Sequence, residues 1–160
     1  MLTNFRLQNF KSWVDTGPIR LAPLTVIFGG NSAGKSSLGH LLLALKQTAL
    51  SSDRKRALNL GDASTLVDLG TFLDCLHGHD LTRKLEFDLA WQLPKSIEVR
   101  NAIQPTQRFN GDHLSLHATI GADPKSSQPR TEGLRYVLSR AGGQLLAVNA
   151  SSNGTKYSLE

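Results

Sequence analysis

Leu24-Thr25-Val26-Ile27-Phe28-Gly29-Gly30-Asn31-Ser32-Ala33-Gly34-Lys35-Ser36-Ser37 is the stretch on which the reading of this chain turns. Its first five residues are apolar and partly β-branched, follow Pro23, and predict a short buried strand. Residues 29–36 match the pattern G-x-x-x-x-G-K-[ST] in full. Beyond them Leu38, Leu41, Leu42 and Leu45 recur at helical spacing, which predicts a helix from Ser36 to about Leu50. Strand, glycine loop and helix in that order is the context in which the pattern cradles phosphate instead of making an ordinary turn.

Each residue type answers a need of a triphosphate, which must meet donors without steric obstruction. Gly29, Gly30 and Gly34 let main-chain N–H groups turn inward as a nest. The first turn of the helix adds unpaired N–H groups and the positive end of its dipole. Lys35 supplies a mobile charge for the β and γ phosphates, Ser36 a hydroxyl for Mg²⁺, and Ser37 a further hydroxyl for a phosphate oxygen. The expected ligand is therefore ATP with Mg²⁺, held by Gly30, Asn31, Ser32, Ala33, Gly34, Lys35, Ser36 and Ser37, with Ser36 as the metal ligand. No base-specific motif separates ATP from GTP.

A chain of 160 residues suits one domain with a sizeable core. Apolar residues make up 39%, and no run approaches the roughly 18 that a membrane span needs. Cys75 is the single cysteine, which excludes an internal disulfide framework and makes the cytoplasm the expected setting. The net charge of +5 favours anionic partners. It is compatible with DNA as with any nucleotide-binding surface, and outside Arg54-Lys55-Arg56 and Arg83-Lys84 the excess is scattered. Aromatic residues do not interleave with the basic ones, so no stacking platform for single strands is expected.

Before the loop, Leu2 to Gln8 alternates and Ile19-Arg20-Leu21 is a second short strand, with turn chemistry at Asp15-Thr16-Gly17-Pro18 between them. Ser51 to about Asp80 predicts loop with short helical pieces. From Leu85 the chain changes to alternating segments parted by Pro, Gly, Asn and Ser: Leu85–Trp91, Ser96–Val99, Leu114–Ile120, Leu134–Ser139, Leu145–Ala150 and Lys156–Leu159. That pattern predicts an antiparallel β-meander, with loops at residues 101–112 and 121–131.

Asn9-Phe10-Lys11-Ser12, placed after an opening strand and some 20 residues ahead of Phe28 to Ser37, resembles the start of SMC/RecF/ABC-type ATPase heads. Among them it is most similar to RecF-like and OLD-like ATPases of DNA repair and phage defence. The resemblance covers residues 1–50 and runs loosely through Val67 to Phe72. It implies an α/β fold, a P-loop NTPase of ABC-ATPase-head type, with a small sheet around the loop and an antiparallel β-rich subdomain over residues 81–160. It also implies that Lys11 and Ser12 approach the nucleotide, and that Asn31 fills the G-x-N place. Residues 1–160 then read as the N-terminal half of a head, needing a C-terminal half or a second head, as in a homodimer, to hydrolyse ATP. The rival reading is a stand-alone protein-interaction module with a residual nucleotide site.

Hydrolysis in that superfamily needs an apolar strand ending in Asp-Glu and a serine-glycine signature. Leu66-Val67-Asp68 has too few apolar residues, and Leu85-Glu86-Phe87-Asp88 alternates like a half-exposed strand. Leu138 to Gln144 resembles the signature with two residues inserted, but its flanks alternate, which predicts a hairpin turn at Ala141-Gly142-Gly143. The catalytic residues are thus left unassigned. Cys75, His77 and His79 lack the second ligand pair of a zinc site and read as a polar loop face, as do His113 and His117.

Overall fold

In the computed structural model, which describes residues 1–53, 56–101, 104, 106–153 and 156–159, eight strands form one antiparallel sheet. The strands are β1 (Leu2–Phe10), β2 (Trp13–Asp15), β3 (Ile19–Arg20), β4 (Leu85–Arg100), β5 (Arg108–Ala122), β6 (Pro129–Arg140), β7 (Gly143–Asn153) and β8 (Lys156–Leu159). Their order is β2-β1-β4-β5-β6-β7-β8, with β3 also paired to β1. The helices are α1 (Lys35–Leu50) and the single turn α2 (Phe72–Cys75), followed by a 3₁₀ turn at His77–His79. Arg54 and Lys55 of the basic cluster, and part of the 101–112 loop, lie outside the described residues.

This architecture overturns the expected α/β P-loop NTPase fold. All strand pairings among the described residues are antiparallel, and the sheet is a meander flanked by one long helix. The buried strand expected at Leu24–Phe28 does not form. Leu24 is 82% and Phe28 88% exposed, and residues 25–30 carry no regular structure. The reason is the lack of a neighbour: β1 is flanked by β2 and β3 on one edge and by β4 on the other. An extended run without a ladder partner keeps its N–H and C=O groups in water. The glycine loop at residues 29–34 consequently lies beside the sheet and not at its centre.

The meander itself follows the alternation read from the sequence. Leu85, Phe87 and Leu89 of β4 face inward with Ala118 and Ile120 of β5. The expected segments 85–91 and 96–99 are one strand, with a register shift between Gln92 and Ile97 that absorbs Pro94. In β1, Phe5 and Leu7 are buried in alternation, and then Phe10 replaces residue 9 as the inward residue. Asn9 resets the phase with a φ of 55° and anchors its amide on the Lys84 carbonyl at 3.0 Å.

One core joins β1 and α1 to β4 and β5. Leu38, Leu41 and Ala44 of α1 pack with Phe5, Leu7, Phe87, Leu89, Ala118 and Ile120, and Leu58, Leu69, Phe72, Cys75 and Leu76 close it. The loop over residues 58–69 is pinned to α1 by Gln47, whose side-chain amide donates to the carbonyls of Asn59 (2.7 Å) and Val67 (3.1 Å) and accepts from the Val67 N–H (3.2 Å). Gly61, with φ at +88°, lets the chain wrap this close, since a Cβ there would collide with the Val67 carbonyl. The opposite face of the sheet is polar, crossed by the paired row Arg6, Asp88, His117, Arg135 and Asn149.

Candidate functional site

Helix α1 starts without a cap. Gly34 stands at its N-cap in a left-handed conformation (φ 81°, ψ 10°), no side chain bonds the first amides, and no acidic residue lies in the first turn. Most helices satisfy those amides with Ser, Thr, Asp or Asn. Here the residues of that turn border a hollow of 240 Å³ lined by Ser12, Ser32, Ala33, Gly34, Lys35, Ser36 and Ser37. Ser32 (φ 61°) and Gly34 are left-handed while Ala33 between them is not. Such alternation turns successive N–H groups toward one side, as in an anion nest.

The hollow is smaller than the roughly 300 Å³ or more of a pocket that encloses a whole small molecule. Its size and the serine hydroxyls along it suit a small anion. Lys35 reaches back over the loop, its Nζ donating to the carbonyls of Gly29 (2.8 Å) and Gly30 (2.6 Å). Ser36 is exposed and Ser37 is buried at the helix start. No carboxylate lines the hollow among the described residues.

The N-terminal turn is the second wall. Ser12, between β1 and β2, presses on Gly34 so closely that a Cβ on residue 34 would overlap the Ser12 hydroxyl. Trp13 donates its indole N–H to the Gly34 carbonyl at 2.9 Å. Lys11, at φ 51°, is held from behind: its N–H donates to the Cys75 carbonyl at 2.7 Å, and its carbonyl meets His77 Nδ1 at 2.9 Å. The Lys11 charge is felt by Asp74 and Cys75, and Lys11 does not line the hollow. Of the ten residues read from the sequence, Ser12 and Ser32 to Ser37 come together, whereas Lys11, Gly30 and Asn31 do not line the hollow. Trp13 was missed: a half-buried indole needs an acceptor, but nothing local names the acceptor as a carbonyl 21 residues away.

The remaining candidates have other partners. Asp68 accepts from the Gly70 N–H at 2.9 Å, and Asp88 pairs with His117 Nδ1 at 2.8 Å across β4 and β5. Ala141 (φ 50°) and Gly142 (φ 80°) form the tight turn joining β6 to β7. Cys75 corrects the polar-face reading, because it is fully buried and burial pushes its thiol up to about 11. Asp74 is held below the usual carboxylate range by Thr71, whose hydroxyl and N–H both donate to it in a capping box. Among the described residues no helix is long and apolar enough to cross a membrane. No known family's sequence pattern matches the chain, and no curated protein is similar enough to count as a match.

Proposed function

We propose that this chain binds Mg-ATP through the phosphate groups, at the start of α1. The observation that carries the reading is the uncapped, left-handed helix start facing a hollow lined by hydroxyls, amides and Lys35. First-turn amides without a side-chain cap favour an anion there, and the dipole adds to the preference. In this reading Lys35 Nζ leaves its two loop carbonyls for phosphate oxygens, and Ser36 offers its hydroxyl to Mg²⁺, which neutralises phosphate charge when bound. Ser12 and Ser37 close the hollow.

Hydrolysis needs a carboxylate to orient water and a cation or signature facing the γ phosphate, since positioning and charge stabilisation are nearly all that a protein supplies to phosphoryl transfer. We therefore propose binding without appreciable turnover by these residues alone, with the missing groups supplied by a further segment or a second copy. The resemblance of residues 1–50 to RecF-like and OLD-like ATPases supports ATP, a cytoplasmic setting and a role in DNA repair or phage defence, with DNA as a further partner. Calorimetric titration with Mg-ATP tests the site: Lys35→Ala abolishes binding, and Lys11→Ala weakens it severalfold through loss of a screened, more distant charge. Equal affinity in wild type and Lys35→Ala refutes the site.

A protein-interaction module has one observation in its favour, the exposed apolar run Leu24, Val26, Ile27 and Phe28. It differs in outcome: a docking module with a residual site keeps its partner binding in Lys35→Ala.

A further inference from the structure

Trp13 is half-buried against the core, and its indole reaches across to the loop. Its N–H donates to the Gly34 carbonyl, which also accepts from the Ser37 N–H at 3.1 Å. That carbonyl belongs to the left-handed residue from which α1 starts, so its direction sets the direction of the amides that follow it. The indole nitrogen also lies only 2.9 Å from where a Cβ on residue 34 would stand, which closes the turn from the side. Behind Trp13, the turn at Lys11 and Ser12 is fixed by the Lys11 bonds to Cys75 and His77 and by the bridge between Phe10 and Leu76. The Gly34 carbonyl therefore rests on a donor that is itself anchored to the folded core.

We propose that Trp13 is a positioning residue of the phosphate loop: its indole N–H holds the Gly34 carbonyl in the orientation that aims the Lys35 and Ser36 amides at the hollow. A backbone turn in a sparsely populated conformation persists only where its surroundings determine it, and here the determinant is a side chain from another element. An anion on those amides meets donors already oriented, so the ordering cost is carried by the fold before binding. The bond also makes Trp13 the natural optical reporter of the loop, since the only other tryptophan is Trp91 on β4.

The inference rests on the proposed phosphate site for its functional consequence, and two measurements separate the two. Hydrogen exchange of the ligand-free protein is compared between wild type and Trp13→Phe, which keeps the aromatic ring and removes the donor. Exchange at Ser37, whose N–H donates to the same Gly34 carbonyl, accelerates in Trp13→Phe while β4 to β6 are unchanged; equal exchange overturns the positioning role whether or not nucleotide binds. In Trp91→Phe, where Trp13 is the sole tryptophan, Mg-ATP and Mg-pyrophosphate shift the emission and adenosine does not. By calorimetry Trp13→Phe binds Mg-ATP roughly three- to tenfold more weakly than wild type, the span one net hydrogen bond supports. Undiminished affinity in Trp13→Phe, or an emission that is silent while wild type binds Mg-ATP, refutes the inference. A wild type that binds neither ATP nor pyrophosphate refutes the phosphate site and leaves the exchange comparison to decide the role of Trp13. Should Trp13→Phe fail to fold, the emission of Trp91→Phe decides.

Discussion

Replacing Gln47 by leucine is the sharpest test of how the loop-bearing helix is held. Gln47 is 6% exposed, and its amide makes three bonds to the backbone of the 58–69 loop. The Val67 carbonyl keeps a second donor in Thr65 Oγ1 at 3.1 Å, so the losses fall on the Asn59 carbonyl and the Val67 N–H. Stranding a buried polar group costs about 1–3 kcal/mol, toward the lower end at a half-buried site, giving about 2–3 kcal/mol for the pair. Leucine recovers about 1 kcal/mol through added apolar burial. Gln47→Leu is therefore destabilised by about 1–2 kcal/mol, and Gln47→Ala, which recovers nothing and leaves a void, by about 3 kcal/mol. Urea unfolding at neutral pH reads both values, and melting falls by about 2–4 °C per kcal/mol in a chain of this size. Affinity for Mg-ATP stays within about twofold, because position 47 lies about three turns along α1 from Lys35. A Gln47→Leu protein as stable as wild type would refute the claim that this side chain pins the loop.

Gly34→Ala forces a Cβ onto a left-handed residue, at about 1–2 kcal/mol, and into Ser12 and Trp13. Mg-ATP affinity by calorimetry falls at least tenfold while circular dichroism keeps its β signature, and unchanged affinity contradicts the close approach. The Asp15 carboxyl is pulled down to about 2, first by its bond from Arg6 and then by the Gly17 N–H. A depressed folded pKa contributes stability above the unfolded value near 4, which is lost as pH falls toward 2. Thermal melts of Asp15→Asn lack this part of the acid decline, and parallel curves for the two proteins exclude it. Cys75, with its thiol raised to about 11 by burial, stays unlabelled by a disulfide reagent at pH 8 until urea unfolds the chain. Prompt native labelling counts against its place in the core.

Local pattern was enough for the elements whose partners are their own neighbours in sequence. The helix over residues 35–50, the alternation of Leu85, Phe87 and Leu89, the turn at Ala141 and Gly142, and the glycine that starts α1 all follow from periodicity and from conformations that few residues adopt. Fold class was decided elsewhere. Leu24 to Phe28 has strand composition, but a strand exists only beside another, and both edges of β1 are taken by β2, β3 and β4. The site divides in the same way. That the loop residues from Ser32 to Ser37 line one hollow was legible because they are contiguous around a glycine turn, whereas the placing of Ser12 against Gly34, the turning of Lys11 toward Asp74 and Cys75, and the donation from Trp13 to the Gly34 carbonyl depend on contacts between residues far apart in the chain. Sequence spacing states which groups a site must contain; which of them meet is set by the packing of the β1–β2 turn between the loop and the segment around Cys75.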